Sequence, residues 1–193
     1  WIPTEGDEDR SYKEHQKEMD ARQRSLIAEF KEHVQDASAA CGLLANRIQT
    51  MLDTGVQPNA EVFLAALGDS NPRFAAEICD TIVGDPNGPL GPHLSPLLSN
   101  VRRVYPERGS SISRRALETG STALCRSVAL SYQSRGWADD ATEQDIGIIR
   151  RLLGNADNLV RELAIGAVGV LAGSRLRLAI ELATAIDIGD DVR

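Results

Sequence analysis

The residues best suited to chemistry in this 193-residue chain are arginines. Arg102 and Arg103, Arg114 and Arg115, Arg126, and Arg150 and Arg151 fall on consecutive stretches of helical character. A guanidinium carries five donors in a fixed fork that matches a carboxylate or phosphate. A stripe of such groups is a candidate surface for an anionic partner: an acidic protein segment, a nucleotide phosphate or a nucleic-acid backbone. From Leu97 to Arg135 seven arginines face two acidic residues, Glu107 and Glu118, within a protein whose net charge is −7. The overall charge disfavours a general nucleic-acid binder, because phosphate binding rests on Lys and Arg. The plain alternative is that Arg is simply the surface cation here, partly paired with Glu107, Glu118 and Glu162. Two adjacent residues on a helix point in different directions, so part of each Arg pair must face solvent or a partner.

Other reactive residue types lack the spacing that chemistry requires. The chain has no GxxxxGK[ST], no GxGxxG after a strand, no HExxH and no GxSxG. His15, His33 and His93 are scattered, without ligand-spaced partners, so no metal and no cofactor is expected. Asp139-Asp140 and Asp190-Asp191 read as solvated turn ends rather than catalytic dyads. Cys41, Cys79 and Cys125 form no CxxC and sit among apolar helical residues, which predicts buried free thiols in a reducing, cytoplasmic setting. No apolar stretch is long enough to span a membrane, and no signal peptide is visible. The first residue is Trp rather than Met, which reads as a piece of a longer protein.

Helices must position these residues. The aromatic content is only 4%, so Ala, Leu, Ile and Val fill the interior, as in closely packed helices, and no segment alternates like a strand. Residues 1–7 look like a lead-in. From Glu8 to Thr54 there is no Pro and one Gly, with opposite-charge i,i+4 pairs at Arg10/Glu14, Glu18/Arg22 and Asp20/Arg24. Ile27, Phe30, Val34, Ala37, Cys41, Leu44, Ile48 and Met51 then form a heptad series. That seam is either the buried face of a helix packed on the helices that follow, or a coiled coil joining two copies through residues 27–51. Gly42 is a candidate break within it.

From residue 55 the punctuation turns regular. Pro58 suits the first turn of a helix running to Leu67-Gly68. Asn71-Pro72 is a cap with proline at the first helical position, opening a helix to Gly84. After the DPNGPLGP loop (85–92), Ser95-Pro96 opens a helix that Pro106 ends. Ser110 or Ser111 begins a long helix toward Ser134. Thr142 to Asp145 resembles a capping box for a helix ending at Leu153-Gly154. Asp157 or Asn158 caps a helix to Gly173, and a last one covers 175–188.

An internal echo joins these helices. Residues 67–78 (LGDSNPRFAAEI) align without gaps on 153–164 (LGNADNLVRELA), 86 positions later. Asp69 meets Asn155 and Asn71 meets Asp157. Between them, Val101-Arg102-Arg103-Val104 falls opposite Ile149-Arg150-Arg151-Leu152, and Ile112 opposite Val160, at an offset of 48. Each unit reads as helix, polar turn, helix, at a period of 38 to 48 residues.

The pattern resembles HEAT repeats, in which a short loop carrying Asp precedes a second helix with a Val-Arg pair near its start. Residues 152–173 (LLGNADNLVRELAIGAVGVLAG) carry Val160-Arg161 as that pair, with Asn155 where Asp is usual. The copy at Asp69 has Phe74-Ala75 there, and the middle copy Ile112-Ser113. Arg161 is then placed to bond neighbouring loop carbonyls or an acidic residue and hold the stack in register.

The resemblance implies an all-α fold. Its form is a right-handed α-α superhelix of stacked helix pairs over 55–193, preceded by a helix or helical hairpin within 1–54. It implies a protein-interaction module, a scaffold or sensor segment of a larger cytosolic protein; the absent catalytic motifs make it non-enzymatic, and the Arg stripe makes an acidic protein segment the candidate partner. Some HEAT-like solenoids instead bind damaged DNA through basic grooves with an aromatic and an acidic residue. Trp137 and Asp139 beside the Arg-rich segment are the candidates for that reading.

Overall fold

The computed structural model describes residues 36–55 and 60–184. Before them it also describes Glu14, Lys17, Ala21, Ser25, Ile27, Ala28, Phe30, Glu32 and Val34. The lead-in at 1–7, the three charge pairs, His15, His33, Pro58, Asp190-Asp191 and the expected last turn to residue 188 fall outside the described residues, wholly or in part. Within them the chain is all-helical, with no strand. The helices are α1 (Ala37–Asp53), α2 (Ala60–Ser70), α3 (Pro72–Gly84), α4 (Leu94–Val104), α5 (Pro106–Glu118), α6 (Thr122–Ser131), α7 (Glu143–Leu153), α8 (Asn158–Ala172) and α9 (Leu176–Thr184).

Short polar residues start many of these helices, because the first N–H groups of a helix have no internal acceptor. Asp36 accepts from Ala39 N–H at 2.8 Å, Asn71 from Phe74 N–H at 3.2 Å and Asp157 from Val160 N–H at 3.0 Å. Thr142 and Asp145 form the reciprocal capping box their spacing predicts: each side chain accepts from the other's backbone N–H, at 3.2 and 3.0 Å.

Three boundaries differ from expectation. Gly42 does not break α1, which runs through it; the interruption lies earlier, where Val34 is non-helical and Asp36 caps. Pro106 ends α4 but also opens α5 at its first position, leaving Tyr105 as the single extended hinge. Proline lacks the N–H that a first helical position leaves free anyway, and it drives the preceding residue out of the helical region. The long helix expected toward Ser134 is two helices, α5 and α6, separated at Gly120, whose φ of 71° suits glycine.

The helices alternate between two layers. α2, α4, α6 and α8 pack successively on one another, and α1, α3, α5 and α7 do the same, while α9 covers α8. One apolar core runs between the layers from Ile27 to Leu182. It continues across residue 54, since Phe30 meets Phe63 edge-on at 5.3 Å. The heptad seam faces this core: Ile27, Phe30 and Ile48 are buried, and Val34, Ala37, Cys41 and Leu44 pack against it. Seven of the seam's eight positions thus pack within the chain.

Side-chain contacts between successive helices of a layer, and between the turns beside them, join residues 28 to 37 positions apart. Asn100 donates to Ala65 O, Arg151 to Leu117 O, and Arg175 to Ala141 O and Asp139 O, at separations of 35, 34, 34 and 36. The 86-residue echo does not share this spacing. It places α3, of the odd layer, on α8, of the even layer. The reason is local: every turn in such a stack needs a helix end, a polar cap and an apolar helix start, so turns of opposite sense look alike in sequence.

Candidate functional site

The arginine stripe separates into three environments. Arg102, expected at the surface, is 3% exposed. Its Nη1 donates to Ser131 O at 3.2 Å, and its Nη2 to Ser113 Oγ at 2.9 Å and Ser131 Oγ at 3.1 Å. Its guanidinium lies over the Tyr132 ring, and its Nε stands 3.9 Å from Asp145 Oδ1 without a hydrogen-bond partner. The correction has a simple cause: of the two adjacent arginines ending α4, position 102 falls on the core face with Leu94, Leu97, Leu98 and Val101.

Asp145 completes this buried cluster. It accepts from Tyr132 Oη at 2.7 Å, Ser110 Oγ at 2.8 Å and Thr142 Oγ1 at 2.7 Å. Burial pushes its carboxyl up, but the Thr142 N–H and the Tyr132, Thr142 and Ser110 hydroxyls together hold it below its ordinary value. Burial also drives the Tyr132 phenol well above its usual range. The sequence reading missed this network. Its one legible trace was the capping box, which marked Asp145 as a polar residue with a fixed local role.

A second group of arginines locks neighbouring helices together. Arg103 pairs with Asp69, and Arg108 with Asp80. Arg115 Nη2 lies 2.9 Å from Asp80 Oδ1. Arg126 grips Asp157 bidentately, at 3.2 and 2.7 Å, which holds that carboxyl below its ordinary value. The expected repeat positions are therefore structural: Asp69 and Asp157 accept arginines, Asn71 and Asp157 cap helices, and Asn155 Oδ1 accepts from Asp157 N–H at 2.9 Å. Arg161 donates to Asn155 O at 2.7 Å and Ala156 O at 3.2 Å, as its position predicts.

The third group is exposed. Arg114 on α5 and Arg150 on α7 have no ion-pair partner among the described residues, and Arg151 donates once, to Leu117 O at 3.2 Å. Arg114 and Arg151 flank a groove of about 240 Å³ between α5 and α7. Leu117, Gly147 and Ile148 supply its apolar lining, with Ser110 and Gln144 as polar neighbours.

The residues considered for a DNA-binding site are arranged otherwise. Trp137 is buried, donates Nε1 to Tyr132 O at 2.7 Å and meets the Tyr132 ring edge-on at 4.8 Å. Asp139 is exposed, and its carbonyl accepts from Arg175. Trp137 lines a recess of about 180 Å³ with Arg102 and Arg103, and Asp139 is not part of that lining.

Cys79 and Cys125 are buried and Cys41 is half-buried, all as free thiols. Burial pushes the Cys41 thiol up to about 11, far from the thiolate a nucleophile needs. Burial also lowers the His93 imidazole below 6.5, against the opposing pull of Glu61. Among the described residues no group of three or more His, Cys, Asp or Glu is placed to hold a metal ion, and no helix is long and apolar enough to cross a membrane. No family model, no curated protein and no solved structure matches the chain.

Proposed function

We propose that the chain is a non-enzymatic interaction module, a HEAT-like helical-repeat segment that serves as a scaffold or sensor arm of a larger cytosolic protein. Its partner is a protein that carries an acidic segment. The stacking of helices in two layers, with contacts recurring at 28 to 37 residues, supports the repeat reading. A stack of this kind buries its core between layers and leaves long outer faces for binding.

One observation carries the binding reading. Arg102, Arg103, Arg115 and Arg126 are engaged by carboxylates within the chain, whereas Arg114 and Arg150 have no such partner among the described residues. Arg114 flanks the α5–α7 groove with Arg151, and Arg150 adjoins Arg151 on α7. Unpaired guanidinium groups beside an apolar recess are an unfinished ion pair that a carboxylate-bearing partner completes.

The test is an affinity pull-down with the intact chain, repeated with Arg114→Glu, Arg150→Glu and Arg151→Glu combined. The expected result is a protein retained by the parent and by an Arg73→Glu, Arg177→Glu control, and lost with the triple reversal. Equal retention by all three chains, with unchanged helical circular dichroism, contradicts the reading.

A further inference from the structure

We infer that the α5–α7 groove seats an acidic linear peptide, with one aliphatic side chain of the peptide over Gly147 and its carboxylates on Arg114 and Arg151. This rests on the interaction reading above and adds the chemistry of the occupant.

The first support is Gly147 itself. It lies in the middle of α7, where glycine destabilises a helix by roughly 1 kcal/mol relative to alanine. Packing does not require it, because a Cβ built there meets nothing within 4 Å. Gly42 in α1 and Gly169 in α8 are equally open, whereas Gly109 and Gly68 are crowded. A Cβ on Gly109 would come within 2.7 Å of the Arg102 backbone, and one on Gly68 within 2.8 Å of the Asn100 side chain. Gly109 and Gly68 are explained by close helix contact; among the three open mid-helix glycines, Gly147 is the one that lines the α5–α7 groove. Its missing side chain leaves α7 backbone open on the groove's floor, between the buried side chains of Leu117 and Ile148.

The second support is charge complementarity. Arg114 and Arg151 stand on opposite helices across this floor. One N–H of Arg151 is engaged by Leu117 O, and a guanidinium has five, so both arginines retain donors for carboxylates. Gln144, also on the wall, carries an amide suited to a peptide backbone group.

A peptide suits this arrangement better than a nucleic acid. The recess is apolar at its base, and a phosphate backbone gains nothing from Leu117 or Ile148. Phosphate binding draws on many cations, whereas only Arg114 and Arg151 line this groove, in a chain of net charge −7. An acidic peptide uses both features at once, burying an aliphatic side chain and pairing its carboxylates.

Fluorescence polarisation on the intact chain tests this, with a labelled peptide of alternating Asp and Glu around one central Leu. The expected result is saturable binding that weakens roughly tenfold or more when the peptide's Leu is replaced by Ala, and similarly with Arg114→Glu/Arg151→Glu. Gly147→Leu fills the floor and should abolish binding while leaving the melting temperature equal or higher, which excludes misfolding as the cause. No binding of the peptide by the parent chain, or binding unaffected by Gly147→Leu, overturns the groove assignment. Tighter binding of a duplex DNA probe, lost with the same arginine reversals, overturns it in favour of a nucleic acid. Failure here with a pull-down that still responds to the triple reversal leaves the interaction reading standing without this seat.

Discussion

The Arg102 guanidinium sits 3.5 Å from the centroid of the Tyr132 ring, and the hydroxyl of that same Tyr132 donates to Asp145 at 2.7 Å. One aromatic side chain thus bridges a buried cation on α4 and a buried anion at the start of α7. Removing one member of a buried pair leaves the other uncompensated, at a cost of about 3–5 kcal/mol, whereas removing both costs less. Urea unfolding should therefore show large losses for Arg102→Met and for Asp145→Leu, and a double variant more stable than their sum implies. Additivity within about 0.5 kcal/mol would show that the two do not act as a unit. Tyr132→Phe keeps the ring beneath the guanidinium and removes a single charged hydrogen bond, so it should cost about 1.5–3 kcal/mol.

Acid sensitivity should come in two windows. The His93 imidazole titrates below 6.5 in the folded chain, first because it is partly buried, so the unfolded chain takes up its proton first. Its contribution is complete above 6.5 and is lost as pH falls through the lower folded value. Asp145 behaves likewise in a lower window. Its folded value lies below 3.8, so stability is complete above 3.8 and falls as pH drops through the folded value. Melting temperatures across this range should show a shallow decline below 6.5 that His93→Gln removes, then a steeper one below 3.8 that Asp145→Asn flattens. A His93→Gln profile that matches the parent would remove the imidazole from the account.

Much of the frame was legible because caps are local. Asn71-Pro72, Thr142 to Asp145 and Asp157 each declare a helix start through atoms within three residues of the cap. The heptad steps also identified the core face of α1 and the burial of Ile27 and Phe30 before it. What local pattern left open was which layer each helix joins, and that settles the fate of the arginines. Arg102 and Arg103 are neighbours of the same type, yet one is buried beside Tyr132 and the other reaches Asp69 in the open. The partners Tyr132 and Asp145 lie 30 and 43 positions further on, in segments whose approach no short motif encodes.

Two glycines should respond to alanine with opposite signs. At Gly109 the new methyl meets the Arg102 backbone, and helix backbones cannot yield as a flexible side chain does. Gly109→Ala should separate α4 from α5, disturb the Arg102 network and cost about 1–3 kcal/mol. Gly147→Ala enters open space and should stabilise α7 by roughly 1 kcal/mol. Thermal melts of the two variants side by side check this, and a destabilised Gly147→Ala would mean that α7 packs more tightly at that point than its geometry shows.

Binding and stability should divide between arginines according to their partners. Arg103 and Arg126 hold Asp69 and Asp157 on neighbouring helices of the even layer, so Arg103→Glu and Arg126→Glu place like charges against each other. Both should lower the melting temperature, Arg126→Glu more, because its bidentate partner Asp157 also caps α8. Neither touches the α5–α7 groove. Arg114→Glu and Arg151→Glu disturb no ion pair among the described residues and should leave the melting temperature nearly unchanged while abolishing capture of an acidic partner. The informative measurement is the two quantities on the same four variants. If the variants that lose stability are also those that lose the partner, capture reports the integrity of the stack, and the groove has no separate role.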